Sequence, residues 1–387
     1  MPEQLRFPAA YMRGGTSKGL FFQGAVLPGE QAERDRVLVR ALGGGDPYRK
    51  QIDGLGGATS STSKAVVVSR SGRPGFDVDY LFAQVGVETA VVDWRGSCGN
   101  LAAAVGPFAI EEGLVVATDP LTTVRIWQVN TGTEIVAHVP SRDGMPLVAG
   151  GFRIDGIPHP GAEIRLDFIE PGGGICGRLL PSGNPVDRLA VDGLGSVDAT
   201  LLDAGNPCVF VAAEALGLRG SELPDAINSD PGLLNRLEAV RSAGAVAMGL
   251  AASAAEATVE RPAVPKLALL ARPEGYPTTA GGLIEAGDFD VLVRMVSMGR
   301  IHHTIPGTGA VALAACCALP ASVAAGLIGP ASARGRIRLG HPAGVVEVEA
   351  ELVPDPDPDS GGWRARRVSL GRTARRLMEG WVLVPSR

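Results

Sequence analysis

Several scarcities narrow the chain before any motif is read. Aromatic residues make up only 5% of its 387 positions, too few for the stacking platforms that bind single-stranded nucleic acid. A large excess of either charge is missing too: Lys+Arg 36 stand against Asp+Glu 41, a net charge of −5. A nucleic-acid binder would show a basic face, so that class is set aside. Cysteine is sparse. Cys98, Cys176, Cys208, Cys316 and Cys317 form no spaced disulfide framework, and Met1–Met12 lack a charged-then-apolar leader pattern. Both point to a reducing cytoplasm. A long uninterrupted apolar run is also absent. Thr304–Ala333 carries no charge, but Pro306, Pro320 and Pro330 cut it. Its longest piece, Gly307–Leu319, would rise only ~20 Å as a helix against the ~30 Å of a bilayer core. The expectation is a buried helix and no membrane span.

What remains is globular. Apolar residues (AVILMFWYC) reach 45% and charged residues 20%, while Gly 53 and Pro 29 are dispersed. The length suggests two domains. The first 22 residues read as strand, turn over Arg13–Gly19, strand. Gln31–Leu42 sets charges against Val37, Leu38 and Leu42, the pattern of a helix. Lys64–Ser69, Asp79–Val85 and Thr89–Asp93 read as strands. Cys98-Gly99-Asn100 opens an Ala-rich helix toward Glu112, with a kink expected at Pro107. Strands at Val124–Val129, Glu134–Val139 and Glu163–Ile169 close the half.

The second half replays this order. Strands Ala199–Leu202 and Cys208–Ala212 flank the turn Asp203–Pro207, and a helix is expected over Gly232–Ala252. Strands Lys266–Leu270 and Val291–Val296 lead to Pro306-Gly307-Thr308-Gly309, which opens a second Ala-rich helix. Strands near Ile337 and at Val345–Leu352 precede a solvated loop, Pro354–Gly362. The landmarks of this ~200-residue repeat are the polar turn, Asp79 or Asp290 at a strand start, and the small-residue turn opening a helix. The fold class expected is α/β (α+β), with two similar domains facing across a cleft. Residues 1–190 form one domain, 191–378 the other, and 379–387 a terminal strand returning to the first.

Three segments carry chemistry. Cys98, at a helix start, is either a small buried turn residue or a thiol whose neighbouring N–H groups and helix dipole favour an anion. Lys64 heads an apolar strand behind the hydroxyl-rich loop Ala58–Ser63. It is either a strand-end charge or, with its pKa lowered by burial, a base. Arg13–Gly19 offers two cations, the hydroxyls of Thr16 and Ser17 and glycine backbone, but not Walker spacing. It reads equally as a carboxylate-binding turn or an exposed hairpin. Asp53–Gly57 is no dinucleotide fingerprint, and a Ser-His-Asp hydrolase is set aside, with no Gly-x-Ser-x-Gly elbow expected. His302 and His303, as neighbours at a strand end, should point to opposite sides and share no metal. One histidine remains a substrate donor, and no metal site is expected.

Together these segments resemble one family. Tyr11-Met-Arg-Gly-Gly-Thr-Ser-Lys-Gly19, Lys50-Gln-Ile-Asp-Gly-Leu-Gly-Gly-Ala-Thr-Ser-Ser-Thr-Ser-Lys64 and Val92-Asp-Trp-Arg-Gly-Ser-Cys-Gly-Asn100 are similar to PrpF motifs. So are Thr123–Trp127, Ala226–Pro231, Ser297–Gly299, His302-His303 and Leu377–Trp381, over nearly the whole chain. The resemblance implies a diaminopimelate-epimerase-like fold, two pseudo-symmetric domains each wrapping a sheet around a central helix, with the site in the interdomain cleft. It implies a cofactor-independent isomerase that interconverts 2-methyl-trans- and 2-methyl-cis-aconitate by proton abstraction and return, in propionate breakdown through 2-methylcitrate. Oxalomesaconate tautomerisation and a methylitaconate double-bond shift are the nearest alternatives. An accessory that binds an aconitase-type dehydratase without catalysis is the alternative of another class.

By position, the family's essential lysine falls on Lys64 and its cleft cysteine on Cys98. The epimerases' second cysteine falls near Pro306, where no thiol stands, so a one-base mechanism is expected. Substrate binding is expected from Arg13, Thr16, Ser17, Lys18, Ser61, Ser63, Gly99, Asn100, Asn206, His303, Gly307, Thr308 and Gly309. The partner implied is a small polycarboxylate, with no nucleic acid, membrane or cofactor. The resemblance is compatible with a homodimer and with a functional link to an aconitase-type dehydratase.

Overall fold

The computed structural model describes residues 3–328, 335–357 and 360–386. Pro330 and the middle of the Pro354–Gly362 loop lie outside the described residues. Packing divides the chain into two compact units, Met1–Leu166 with Arg372–Arg387, and Asp167–Gly371. The expected boundary at 190 falls inside the second unit. The reason is local: strand Asp187–Val191 pairs with Gly195–Ala204 across a tight turn and stays with it.

The first unit starts with a hairpin of strands Gln4–Gly14 and Ser17–Gln23. Arg13 pairs with Lys18 and Gly14 with Ser17, so the turn is only Gly15-Thr16, tighter than the expected Arg13–Gly19. Ser17–Gln23 then pairs in parallel with Lys64–Arg70, and Lys64–Arg70 antiparallel with Val78–Val85. Val78–Val85 continues in parallel with Leu121–Gln128, which pairs antiparallel with Thr133–Arg142. Strand Ala374–Pro385 returns along the whole of Gln4–Gly14. The expected strand over Thr89–Asp93 shrinks to Val92–Asp93.

This sheet surrounds helix Gly99–Glu111, buried from Gly99 to Ile110. Ala102, Ala103 and Ala104 show why the sequence is Ala-rich there: fully buried small side chains let strands approach on every side. The helix continues through Pro107, which forfeits one ladder hydrogen bond without ending it. Helix Gln31–Leu42 lies outside the sheet and buries Val37, Leu38, Ala41 and Leu42, about 1.5–3 kcal/mol for each larger side chain. Glu30 caps its start, and Gly43, at φ 68, ends it.

The second unit repeats the pairing order. Gly195–Ala204 and Asn206–Ala212 form the hairpin, and Asn206–Ala212 pairs in parallel with Lys266–Ala271. Lys266–Ala271 pairs antiparallel with Val291–Ser297, and Val291–Ser297 in parallel with Arg336–His341. Arg336–His341 pairs antiparallel with Gly344–Pro354. Its central helix, Gly307–Ala318, is buried from Gly307 to Cys317, as expected of the uncharged run. No helix among the described residues is long and apolar enough to cross a membrane. The outer helix is Pro231–Ala247; it stops short of Ala252 because Gly249 turns left-handed at φ 72.

One repeat landmark shifts. The counterpart of Asp290 is Asp77, not Asp79. Asp77 accepts from the Arg125 backbone N–H and Asp290 from that of Arg338, each just before its strand. The register also matches Lys64 with Lys266, each heading the strand that runs parallel to the hairpin.

Candidate active site

The first unit brings Lys64 and Cys98 together. Lys64 is the first residue of its strand and only 8% exposed. Its Nζ donates to Gln84 Oε1 at 2.8 Å and lies 4.9 Å from the centre of the Phe82 ring. The Cys98 thiol also interacts with the amine. Burial pushes the lysine below its ordinary range, and Cys98 opposes that only in part. The amine thereby gives up its proton more readily than an exposed lysine, and its neutral form can take one from a substrate.

Cys98 caps the central helix: its sulfur accepts from the Leu101 N–H at 3.5 Å. Tyr80 OH donates to the Cys98 carbonyl at 3.0 Å, and burial pushes its phenol well up, so it remains a donor. Glycines set the fit. A Cβ on Gly19 would stand 2.5 Å from the Lys64 carbonyl oxygen, and one on Gly14 would stand 2.5 Å from that of Asn100. Gly15, at φ 49, would place its Cβ 2.4 Å from Asn100 Oδ1. The hairpin thus closes onto the helix start only with glycine at these places.

Around this pair the expected binding residues fall into two groups. Thr16, Ser17, Ser61, Ser63, Gly99 and Asn100 are buried in the same unit. Asn100 Nδ2 donates to Thr16 Oγ1 at 3.0 Å and ties turn to helix. The Lys18 backbone N–H donates to the Ser61 carbonyl at 3.1 Å, which holds the hydroxyl loop beside the turn. Ser61 Oγ lies 2.9 Å from Thr59 Oγ1, and Ser63 Oγ accepts from Gln51 at 2.8 Å. Arg13 is spent on the Gly15 and Thr373 carbonyls at 3.1 and 2.8 Å. Burial lowers its pKa, and Arg375 adds to that. Lys18 Nζ sits over the Tyr11 ring at 5.4 Å.

Asn206, His303, Gly307, Thr308 and Gly309 belong to the second unit. Asn206 Nδ2 donates to Thr308 Oγ1 at 2.9 Å, the same turn-to-helix tie with the amide and hydroxyl exchanged. Gly309 admits Met295, whose sulfur would lie 2.2 Å from an added Cβ. His302 and His303 do not point apart. Their rings stack at 4.6 Å and 23°, because both lie beyond the short strand Arg300–Ile301, where side-chain alternation no longer applies. No group of three or more His, Cys, Asp or Glu among the described residues could hold a metal ion. Contrary to expectation, a Gly-x-Ser-x-Gly is present at Gly15–Gly19, but it joins strand to strand, so Ser17 is not presented as an elbow nucleophile.

Gln84, Tyr80, Phe82 and Arg372 were not anticipated. A glutamine inside the largely apolar strand Val78–Val85 was a signal that could have found the first. Arg372 had none, being one arginine of a basic tail. Its Nε donates to Asn100 Oδ1 at 3.1 Å, and burial pushes its pKa down to about 10.

The sequence model of a family described as PrpF protein matches residues 4–385. The 2-methyl-aconitate isomerase of Shewanella oneidensis is 45% identical over 396 residues, covering 99% of this chain and 98% of that protein. The crystal structure of a methylitaconate-delta-isomerase is 40% identical with a TM-score of 0.78, covering 99% and 97% of the two chains. A hydroxyproline epimerase from Agrobacterium vitis has 13% identity and a TM-score of 0.54, covering 98% of this chain and 93% of its own; that likeness shows the fold alone.

Proposed function

The chain belongs to the PrpF family, and from that premise we propose that it interconverts 2-methyl-trans-aconitate and 2-methyl-cis-aconitate without a cofactor. The observation that carries the reading is a buried amine, Lys64, held against Cys98 at the start of the central helix. The substrate methylene is flanked by a carboxylate and the double bond. Lys64 takes one methylene proton, and the electron pair spreads over the former double bond, which gains single-bond character. The bond rotates, and the ammonium returns the proton to the same carbon. One base performs both transfers, so the thiol missing at Pro306 is not needed.

The anion is the costly species. The N–H groups at Cys98, Gly99 and Asn100 lie at a helix start, where donors and dipole favour negative charge. Arg13, Lys18 and Arg372 supply cationic charge for a trianion that must approach a chain of net charge −5. The Phe82 ring face stabilises the ammonium that forms on Lys64. A contribution from the Gly307–Gly309 helix start, action in the cytoplasm beside an aconitase-type dehydratase, and a homodimer belong to the same proposal. Its test is turnover of purified protein on 2-methyl-trans-aconitate, methylitaconate and oxalomesaconate. The highest kcat/KM is expected on the first. Preference for either other acid reassigns the substrate, and turnover of none supports the accessory role.

A further inference from the structure

We infer that Gln84 is the positioning residue of the base, fixing where the Lys64 lone pair points. The inference rests on Lys64 being the base.

The Gln84 amide is oriented from its far side. Its Nε2 donates to the Ser63 carbonyl at 3.0 Å and to the Ser60 carbonyl at 3.2 Å. Those two acceptors use both of its N–H bonds, so Oε1 must face the amine. Oε1 then accepts from Lys64 Nζ at 2.8 Å, across the antiparallel pair in which Lys64 and Gln84 are register partners. Register partners project to the same face of a sheet, so the contact is built by the strands and not by a chance rotamer. Gln84 is 5% exposed, and water does not compete strongly for it.

The consequence is directional. A neutral amine has two N–H bonds and one lone pair. Gln84 accepts from one N–H, which turns the lone pair away from Gln84 and toward a ligand. A carboxylate here would stabilise the ammonium and keep the lone pair occupied. A glutamine accepts from the amine without adding charge. Cys98 interacts with Lys64 from the helix start, and Tyr80, on the strand paired with that of Lys64, donates to the Cys98 carbonyl. Asp93, the cross-strand partner of Gln84, engages Arg95 through Oδ1 at 3.1 Å. Lys18, one strand over, lies on Tyr11.

The test is the pH profile of kcat/KM on 2-methyl-trans-aconitate for the wild type, Gln84→Glu and Gln84→Met, with Lys64→Ala alongside. Rate should rise as Lys64 loses its proton. Gln84→Glu is close to isosteric; it should move that rise to higher pH by about one unit or more. Gln84→Met, which removes the acceptor, should move it to lower pH and lower the plateau. A second readout needs no turnover: titration of the lysine ε-carbon signal by NMR should move the same way in each variant. If Lys64→Ala abolishes activity while both Gln84 variants keep the wild-type midpoint in both measurements, the positioning role is overturned and the base stands. If Lys64→Ala stays active, the base assignment itself fails.

Discussion

The two units share one strand order but equip it differently. In the first, the lysine heading the parallel strand meets Gln84, Phe82 and a cysteine cap. In the second, Lys266 heads the matching strand and is equally buried, yet its Nζ donates to the Ala263 carbonyl at 3.1 Å. The helix opposite begins at Pro306, which offers no side-chain cap bond. The register partner differs too: Cys208 stands beside Lys266, where the first unit has glycine at position 19. The difference teaches that the backbone does not make a lysine a base. Under the proposed function, Lys64 serves as base with a neutral acceptor orienting it, whereas a carbonyl of its own chain takes up Lys266.

The sharpest way to break this contrast is to remove each lysine. Lys64→Ala should lower kcat/KM by about 10²–10⁴-fold, the usual worth of a positioned general base. Lys266→Met should leave it near the wild-type value, with Tm as the control for folding. Equal losses in the two variants would erase the distinction.

A second contrast lies in the acids. The second unit buries Asp203, which accepts from the Ile175 and Cys176 N–H groups at 2.8 and 2.7 Å. Burial nonetheless pushes its pKa up from 3.8 to about 6. A carboxyl raised in the folded state holds its proton longer than in the unfolded chain. Stability is therefore greatest below the unfolded value and falls as pH rises through about 6, on the order of 3 kcal/mol in all. Asp203→Asn should flatten that part of the dependence of Tm on pH, and an unchanged slope would assign it elsewhere.

The smallest effects sharpen the matched turn-to-helix ties. Asn100→Ala loses the bond to Thr16 and the one from Arg372, so about 2 kcal/mol of stability should go, with activity. Thr308→Val loses the single bond from Asn206 and should cost about 1 kcal/mol in urea denaturation.

Much of this architecture was legible in the sequence. Strand-forming Lys64-Ala-Val-Val-Val-Ser69, the helix over Gln31–Leu42 and the two small-residue helix starts follow from local pattern. The tight hairpin, the short strand at Val92 and the boundary at 166 did not, because register and long-range pairing decide them. At the site, Lys64 and Cys98 stood out by residue type at an unusual place. Gln84 acts only through its cross-strand register with Lys64, and Arg372 only through a contact with Asn100 from far along the chain. Neither relation is written in neighbouring residues. The stacked histidines show the reverse error, a strand rule applied just past the end of a strand.

The central claim is that the Lys64 amine removes the substrate proton, and isotope exchange tests it most directly. In deuterated water the wild type should deposit deuterium on the substrate methylene as it turns over. Folded Lys64→Ala should deposit none above the uncatalysed background. Deuterium arriving at the wild-type rate in that variant would contradict the account.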